Sequence, residues 1–578
     1  MTSIFRRIFQ ILKDKRLMFA AVIVFSLVSV LGILVSPQMI GKAIDGLKSR
    51  GNVDFPLLFR MAGILAIFYA AGMVGQWISV YLDNRLSCEA SHRLRKMLFS
   101  KLQRVPIRFH DTASHGDVAT RFINDAEAVS DGMLQGMNAL IQGIITIAGT
   151  IVFMLSINLL MAGVIILSSP LAYLVARFIT VRSQKLFRET ARYVGVINGY
   201  AEEMITGQLE VLAFNHGQQA RETFAKMNQE LKKVGTRSQF ISAMANPSTR
   251  IVNNTTYAVV GIIGGLAALT GNLSVGELSS FLLYAVIFSK PFNEITSVMA
   301  QIQAAAASAE RIFSILDAPE EVPDDPHPVR LDDCTGEISF EHVSFAYEHE
   351  RKLIQDFDMQ VKPGSRIALV GRTGAGKTTM VNLLMRFYDV DHGAILLDGT
   401  DIRRLTRSGL RRHFGMVLQD TWVFDGTIHE NIAYARPEAS RDDVIRAAME
   451  ADADSFIRRL PHGYDTPLAT DDSGLSQGQV QLLTIARVML ADPPMLILDE
   501  ATSNIDTFTE KKIQEAFQRM MKGRTTFVIA HRLSTIRNAD EILVMEKGSI
   551  VEKGTHAALM EKKGAYYALY TSQFSSGA

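Results

Sequence analysis

The stretch Gly371-Arg372-Thr373-Gly374-Ala375-Gly376-Lys377-Thr378-Thr379 follows the apolar run Ile367 to Val370 and precedes an apolar-periodic segment. That order of residue types suits the holding of phosphate. Glycines let successive backbone N–H groups curl around an anion, Lys377 adds a positive charge, and the Thr378 hydroxyl offers a hard oxygen to Mg²⁺. The motif carries weight in a strand–loop–helix context, and the flanking residues predict that context. Asp499 closes a second apolar run, "MLILDE", where a carboxylate can hold Mg²⁺ through water; Glu500 beside it can orient and polarise an attacking water. An Asp-Glu pair alone reads as a solvated strand end, but the phosphate loop upstream makes it the acidic half of an ATP-hydrolysing site. ATP and Mg²⁺ are the cofactors implied.

The elements that must position these groups fall into two unlike halves. Over 578 residues Lys+Arg 60 nearly balances Asp+Glu 59, so nothing in the net charge of +1 calls for nucleic acid. Cys88 and Cys334, far apart and in polar surroundings, form no disulfide framework and no zinc-ligand spacing. Before Ala309, apolar runs near Leu17–Val35, Leu57–Leu82, Gly136–Ser156, Leu159–Ile179, Tyr257–Thr270 and Leu278–Ala307 predict about six membrane spans. Arg6, Arg7, Lys13, Lys15 and Arg16 precede the first span, whereas the connections "SINLLMA" and "GNLSVGE" carry no Lys or Arg, which places both ends in the cytosol. Lys42, Lys48 and Arg50 in the first connection run against that bias. Ile4, Phe5, Ile8, Ile11 and Leu12 recur at helical spacing, as in a helix lying on the inner leaflet. The connections Asp83–Gln135 and Val181–Ala245 are charged with helical apolar spacing, so they extend their flanking spans into the cytosol.

From Glu337 onward the chain resembles the nucleotide-binding domain of ABC transporters. The resemblance rests on the phosphate loop, Asp499 and Glu500, Gln419 in "MVLQDTWVFDGTIHENI", "LSQGQ" at Leu475–Gln479, "SNID" at Ser503–Asp506, and His531 in "FVIAHRLST". It implies that Tyr347 stacks on adenine, Gln419 serves the metal and water geometry, Asp506 belongs to the family's D-loop among the nucleotide-binding residues, and His531 reaches the γ-phosphate. The membrane half is similar to the exporter branch, through "RFHDTASHGDVATRFINDAE" and "EEMITGQLEVLAF", which resemble its two coupling loops. The expected fold is an α-helical transmembrane domain of about six spans with long cytosolic extensions, fused to an α/β phosphate-loop ATPase. Its divisions are residues 1–318, a linker at 319–336, and the ATPase at 337–578.

In that family ATP is held between two domains packed head to tail. Ser476, Gln477, Gly478 and Gln479 would therefore face the γ-phosphate bound on a partner chain. The usual loop is Leu-Ser-Gly-Gly-Gln, so Gln477 replaces a glycine that permits close approach. Thr470, Asp471 and Asp472 likewise stand where relatives have Glu, Arg and Gly. The chain's own catalytic set, Lys377, Gln419, Glu500 and His531, is intact. The asymmetry resembles one half of the bacterial heterodimeric exporters, completed by a second half-transporter; a homodimer tolerating Gln477 is the alternative. The expected activity is ATP-driven export of a small amphipathic molecule across a bacterial cytoplasmic membrane, with an exporter-shaped importer and a non-transporting signalling ATPase as rival classes. Phe25, Phe68, Tyr69, Gln76, Trp77, Asn138, Gln142, Asn253, Asn254, Tyr284 and Phe288 give the spans aromatic and amide character without assigning a substrate.

Overall fold

The computed structural model describes the chain apart from residues 1, 50–51, 133–135, 348–352, 373, 420, 470–473, 500–505, 530–535 and 575–578. Two compact units emerge: Met1–Arg104 with Ala113–Ala318, and Val105–Thr112 with Pro319–Ala578. The eight residues of the short segment thus group with the second unit although the sequence on both sides belongs to the first.

The first unit is helical. A short amphipathic helix, Thr2–Ile11, leads into long helices at Arg16–Asp45, Phe55–Leu102, Gly136–Ile157, Leu159–Thr206, Ala245–Leu269 and Val275–Leu316. These cover the six apolar runs. Among the described residues, four stretches cross the length and hydropathy expected of a membrane span: Lys13–Asp45, Phe55–Leu102, Asn138–Ile157 and Gly217–Leu269. The helices outlast their apolar runs, as the charged connections predict. Phe55–Leu102 continues past its hydrophobic part on a face of Leu86, Ala90, Leu94 and Leu98, all buried. The first connection holds a small antiparallel ribbon of Leu47–Ser49 and Asn52–Val53.

Helix pairs in this unit close on small and polar residues, since apolar contact alone gains little between helices in lipid. A Cβ on Gly276 would lie 2.0 Å from the Gly41 carbonyl, so the helices Arg16–Asp45 and Val275–Leu316 meet there backbone to backbone. Ser280 and Tyr284 then donate to the carbonyls of Pro37 (2.7 Å) and Leu34 (2.6 Å) on the facing helix. Tyr284 and Phe288 are buried packing residues, while Trp77 is 72% exposed. Ser26 donates to Asn138 and meets Ser79, Ser29 donates to Gln76, and Gln142 reaches this same group, joining three helices by polar contacts. Arg7 forms a bidentate pair with Asp317, and Arg311 with Asp125, tying the end of the last long helix to the rest of the unit.

The second unit is an α/β domain around a six-stranded sheet. Its strands run in the order Ser549–Gly554, Glu541–Glu546, Arg366–Val370, Thr525–Ile529, Met495–Asp499, Phe414–Val417. All neighbours are parallel except the first pair. Alternate residues feed two cores. Ala368, Val370, Leu496, Leu498, Val528 and Val544 face one; Ile367, Leu369, Met495, Ile497, Phe527 and Met545 face the other. Burial on both faces explains why these strands read as unbroken apolar runs. A four-stranded antiparallel sheet, with Ile338–Phe345 between Ile354–Val361 and His392–Leu397, covers the second core.

Candidate functional site

The strand Arg366–Val370 ends where the phosphate loop begins, and Lys377 opens the helix Lys377–Leu384. Gly374 and Gly376 have φ of 81° and 101°, a left-handed conformation that an L side chain resists. Gly371 is required for space: a Cβ there would sit 2.4 Å from the Met545 carbonyl. The loop is fastened by Ala375 N–H to Arg372 O at 3.0 Å and Gly548 N–H to Ala375 O at 3.0 Å. Lys377 lies over it, its ammonium donating to the carbonyls of Gly371 (2.7 Å) and Arg372 (3.3 Å). Burial lowers the Lys377 pKa and the Asp499 carboxylate opposes that shift, so the two groups share one field.

Thr378 is exposed at the second position of the helix, and Thr379 is buried. Asp499 ends the strand Met495–Asp499, and Gln419 is exposed just past the end of the neighbouring strand Phe414–Val417. A hydroxyl and a carboxylate are hard oxygen donors of the kind Mg²⁺ takes, so the residues present fit that ion. Thr373, Glu500 and His531 lie outside the described residues, as do Thr470, Asp471 and Asp472.

Tyr347 sits in an aromatic cluster. Its ring meets Phe345 edge-on at 4.9 Å and Tyr388 at 5.0 Å with a 90° interplanar angle, and Asn382 donates to its hydroxyl at 3.1 Å. Tyr388 in turn donates to Asp111 at 2.5 Å, across 277 positions of sequence. Burial, and then the Asp111 carboxylate, push the Tyr388 phenol above its ordinary value, so it remains a protonated donor at neutral pH. Tyr388, Asn382 and Asp111 were not singled out in the sequence; a tyrosine between apolar and acidic residues has no local mark of such a role.

The other face of the domain is built differently. The helix Gln477–Ala491 starts with a capping box: Ser476 accepts from Gln479 N–H at 3.4 Å, and the Gln479 side chain accepts from Ser476 N–H at 3.0 Å. Gln477 occupies the first helical position with its side chain exposed, and Gly478 is buried. The Ser476 and Gln479 side chains thus serve their own helix. Asp506 also caps its own helix, Thr507–Met521, accepting from Phe508 and Thr509 N–H at 3.1 and 2.9 Å. Those backbone and side-chain hydrogen bonds from Thr509 hold its carboxyl below the usual range.

Comparison with known proteins agrees with this geometry. The family profile described as "ABC transporter transmembrane region" matches residues 19–292, and that described as "ABC transporter" matches residues 354–503. A fatty acid ABC transporter ATP-binding/permease protein of Mycobacterium bovis is 42% identical over 89% of this chain and 82% of its own length. The chain belongs to the ABC transporter family. An ATP-dependent lipid A-core flippase of Chromohalobacter salexigens is 34% identical over 99% of this chain and 98% of its own. Among solved structures, a bacterial Atm1-family ABC exporter with ATP bound superposes with a TM-score of 0.77 at 29% identity, covering 98% of this chain and 99% of the other. This ABC chain is therefore a membrane protein with an exporter-type fold, a helical transmembrane region fused to an ATPase whose hydrolysis is coupled to transport. ABC exporters of this kind work as dimers of such half-transporters.

Proposed function

We propose that the chain exports an amphipathic, lipid-like molecule across a bacterial cytoplasmic membrane, as one half of a heterodimer. One observation carries the export reading: an exporter with ATP bound aligns end to end, membrane helices and ATPase together, with this single chain. The printed activities of two relatives, a fatty acid transporter and a lipid A-core flippase, support the amphipathic class. Bound Mg²⁺ would supply charge neutralisation at the phosphates, with Thr378 and Asp499 as its protein ligands and Gln419 close by. In this reading Lys377 stabilises the transferring phosphoryl group, Glu500 orients the water, and His531 contacts the γ-phosphate. ATP joins two nucleotide-binding domains because it binds the closed pair more tightly, and that difference biases the spans from inward to outward facing.

The heterodimer part rests on Gln477. Its exposed side chain at the helix start adds bulk where the partner's triphosphate would approach N–H groups and the helix dipole. The composite site that this face completes then turns over slowly, while the site on Lys377 and Glu500 awaits a regular loop from the partner.

Flux decides the export reading. Inside-out vesicles carrying the chain with its native partner should accumulate a fluorescent fatty acid when ATP is added, and Lys377→Met should abolish the uptake. ATP hydrolysis without any flux would favour a signalling ATPase, and ATP-driven loss from preloaded vesicles would favour an importer.

A further inference from the structure

A hollow lies between the six-stranded sheet and the helix Thr507–Met521. On the sheet, Ile542, Ala368, Val528 and Leu498 stand in register across four strands and face one core. Ala368 is the small member of that row. Close-packed neighbours relax only partly into the space a branched residue would fill. A pocket of about 70 Å³ remains there, floored by Ala368, Val528 and Leu498 and walled by Phe517 and Met521 of the helix, all buried. That is space for about five waters in an apolar lining that gives water few partners.

The rim has the opposite character. Arg366 lies two residues before Ala368 on the same face of its strand and is half-buried, and Gln514, Gln518 and Asn538 complete the edge. Gln518 and Asn538 are exposed, so the pocket opens on their side. The Arg366 backbone is fixed on both sides by Asp540, whose carboxylate accepts its N–H at 2.8 Å and whose N–H donates to its carbonyl at 2.9 Å. Among the described residues, none pairs with the Arg366 guanidinium or with the three rim carboxamides, and no Asp or Glu lines the pocket. A guanidinium without a partner is an anion receptor whose planar fork matches a carboxylate. We infer that this pocket is a second ligand site, distinct from the nucleotide cradle, for a small carboxylate bearing a short apolar chain. The carboxylate pairs with Arg366 and the rim amides, and a chain of about three or four carbons fills the hollow over Ala368. Inorganic phosphate would use the rim and leave the floor empty; a neutral chain would do the reverse. Arg366 opens the strand whose far end carries the phosphate loop, which separates the two sites by the length of that strand.

Saturation-transfer NMR on the full-length protein in lipid nanodiscs tests this, with butyrate as the probe and empty nanodiscs as the baseline. Butyrate protons should take up saturation from the protein, and butyrate should slow amide exchange along Thr507–Met521 several-fold. Butyramide, which keeps the chain without the charge, and inorganic phosphate, which has the charge without the chain, should each bind roughly tenfold more weakly. Arg366→Gln should weaken butyrate by roughly tenfold and Arg366→Lys by less. Ala368→Val, which fills the hollow, should also lose the probe, and ATP binding in the same samples checks that each variant is folded. Undiminished butyrate binding in Arg366→Gln overturns the inference, as does butyramide binding as tightly as butyrate. Saturation transfer no greater than with empty nanodiscs, or protection confined to the phosphate loop, overturns it as well.

Discussion

The phosphate loop and the start of the helix Gln477–Ala491 are both glycine-bearing turns before a helix, yet they are constrained by different things. In the phosphate loop the backbone itself demands glycine: Gly374 and Gly376 have positive φ, and Gly371 has no room for a Cβ beside Met545. At the other helix start, Ser476 is an extended N-cap and Gln477 an ordinary first helical residue with its side chain exposed. Folding therefore tolerates a side chain at position 477 and penalises one at 376. A glycine at 477 would be needed only by something approaching from outside; in the proposed reading its replacement therefore bears on a partner's nucleotide, not on this domain's stability.

The contrast can be pressed hardest at the chemistry. Glu500→Gln or Lys377→Met should lower steady-state ATP hydrolysis by about 10²-fold or more, the range for loss of a general base or a phosphate-stabilising charge, with ATP binding retained in Glu500→Gln. Radioactive phosphate release and nucleotide titration measure the two quantities. Next in size, Gly376→Ala forces an L residue into the left-handed region at a cost of about 1–2 kcal/mol, to be seen as a lower unfolding midpoint. The matching change on the other face, Gln477→Ala, should shift the midpoint by less than about 0.5 kcal/mol. A large destabilisation there would break the comparison. Ser476→Ala removes the cap of the same helix and should cost about 1 kcal/mol, measured by chemical denaturation.

The smallest effect is one of pH. Asp506 has its folded pKa held below its ordinary value of 3.8 by the bonds it accepts at the helix start. A carboxyl with a depressed folded pKa contributes stability that is present above the unfolded value and lost as pH falls through the folded one. Asp506→Asn keeps a capping side chain without the charge, so it should lower the neutral midpoint slightly, flatten the acid limb of the stability curve and converge on the wild type at low pH. Denaturation midpoints across acid pH check this.

How much of this was readable beforehand depended on how local the cause was. The phosphate loop, the strand ending at Asp499 and the six apolar helices follow from neighbouring residue types, because turn chemistry, two-sided burial and bilayer thickness each leave a mark within about 20 residues. The departure at Gln477 was equally plain. What its surroundings do, the capping box at Ser476 and Gln479, was also implicit in the spacing Ser-x-x-Gln. Tyr388 was not legible at all. Its two contacts come from Tyr347 and from Asp111, the latter 277 positions away, and only the fold brings them together. The grouping of Val105–Thr112 with the ATPase unit has only an indirect mark in the sequence, the resemblance of the run from Arg108 onward to a coupling loop.

The central claim is that this chain's triphosphate cradle is sound and its offering to a neighbour is impaired by one side chain. Steady-state hydrolysis by the chain purified without any partner, in bilayers, tests it most directly, because every composite site then contains Gln477. Slow turnover that rises at least tenfold on Gln477→Gly is the expected result, a change of about 1.4 kcal/mol in the barrier. Fast turnover by the unaltered chain, with no gain on Gln477→Gly, would contradict it.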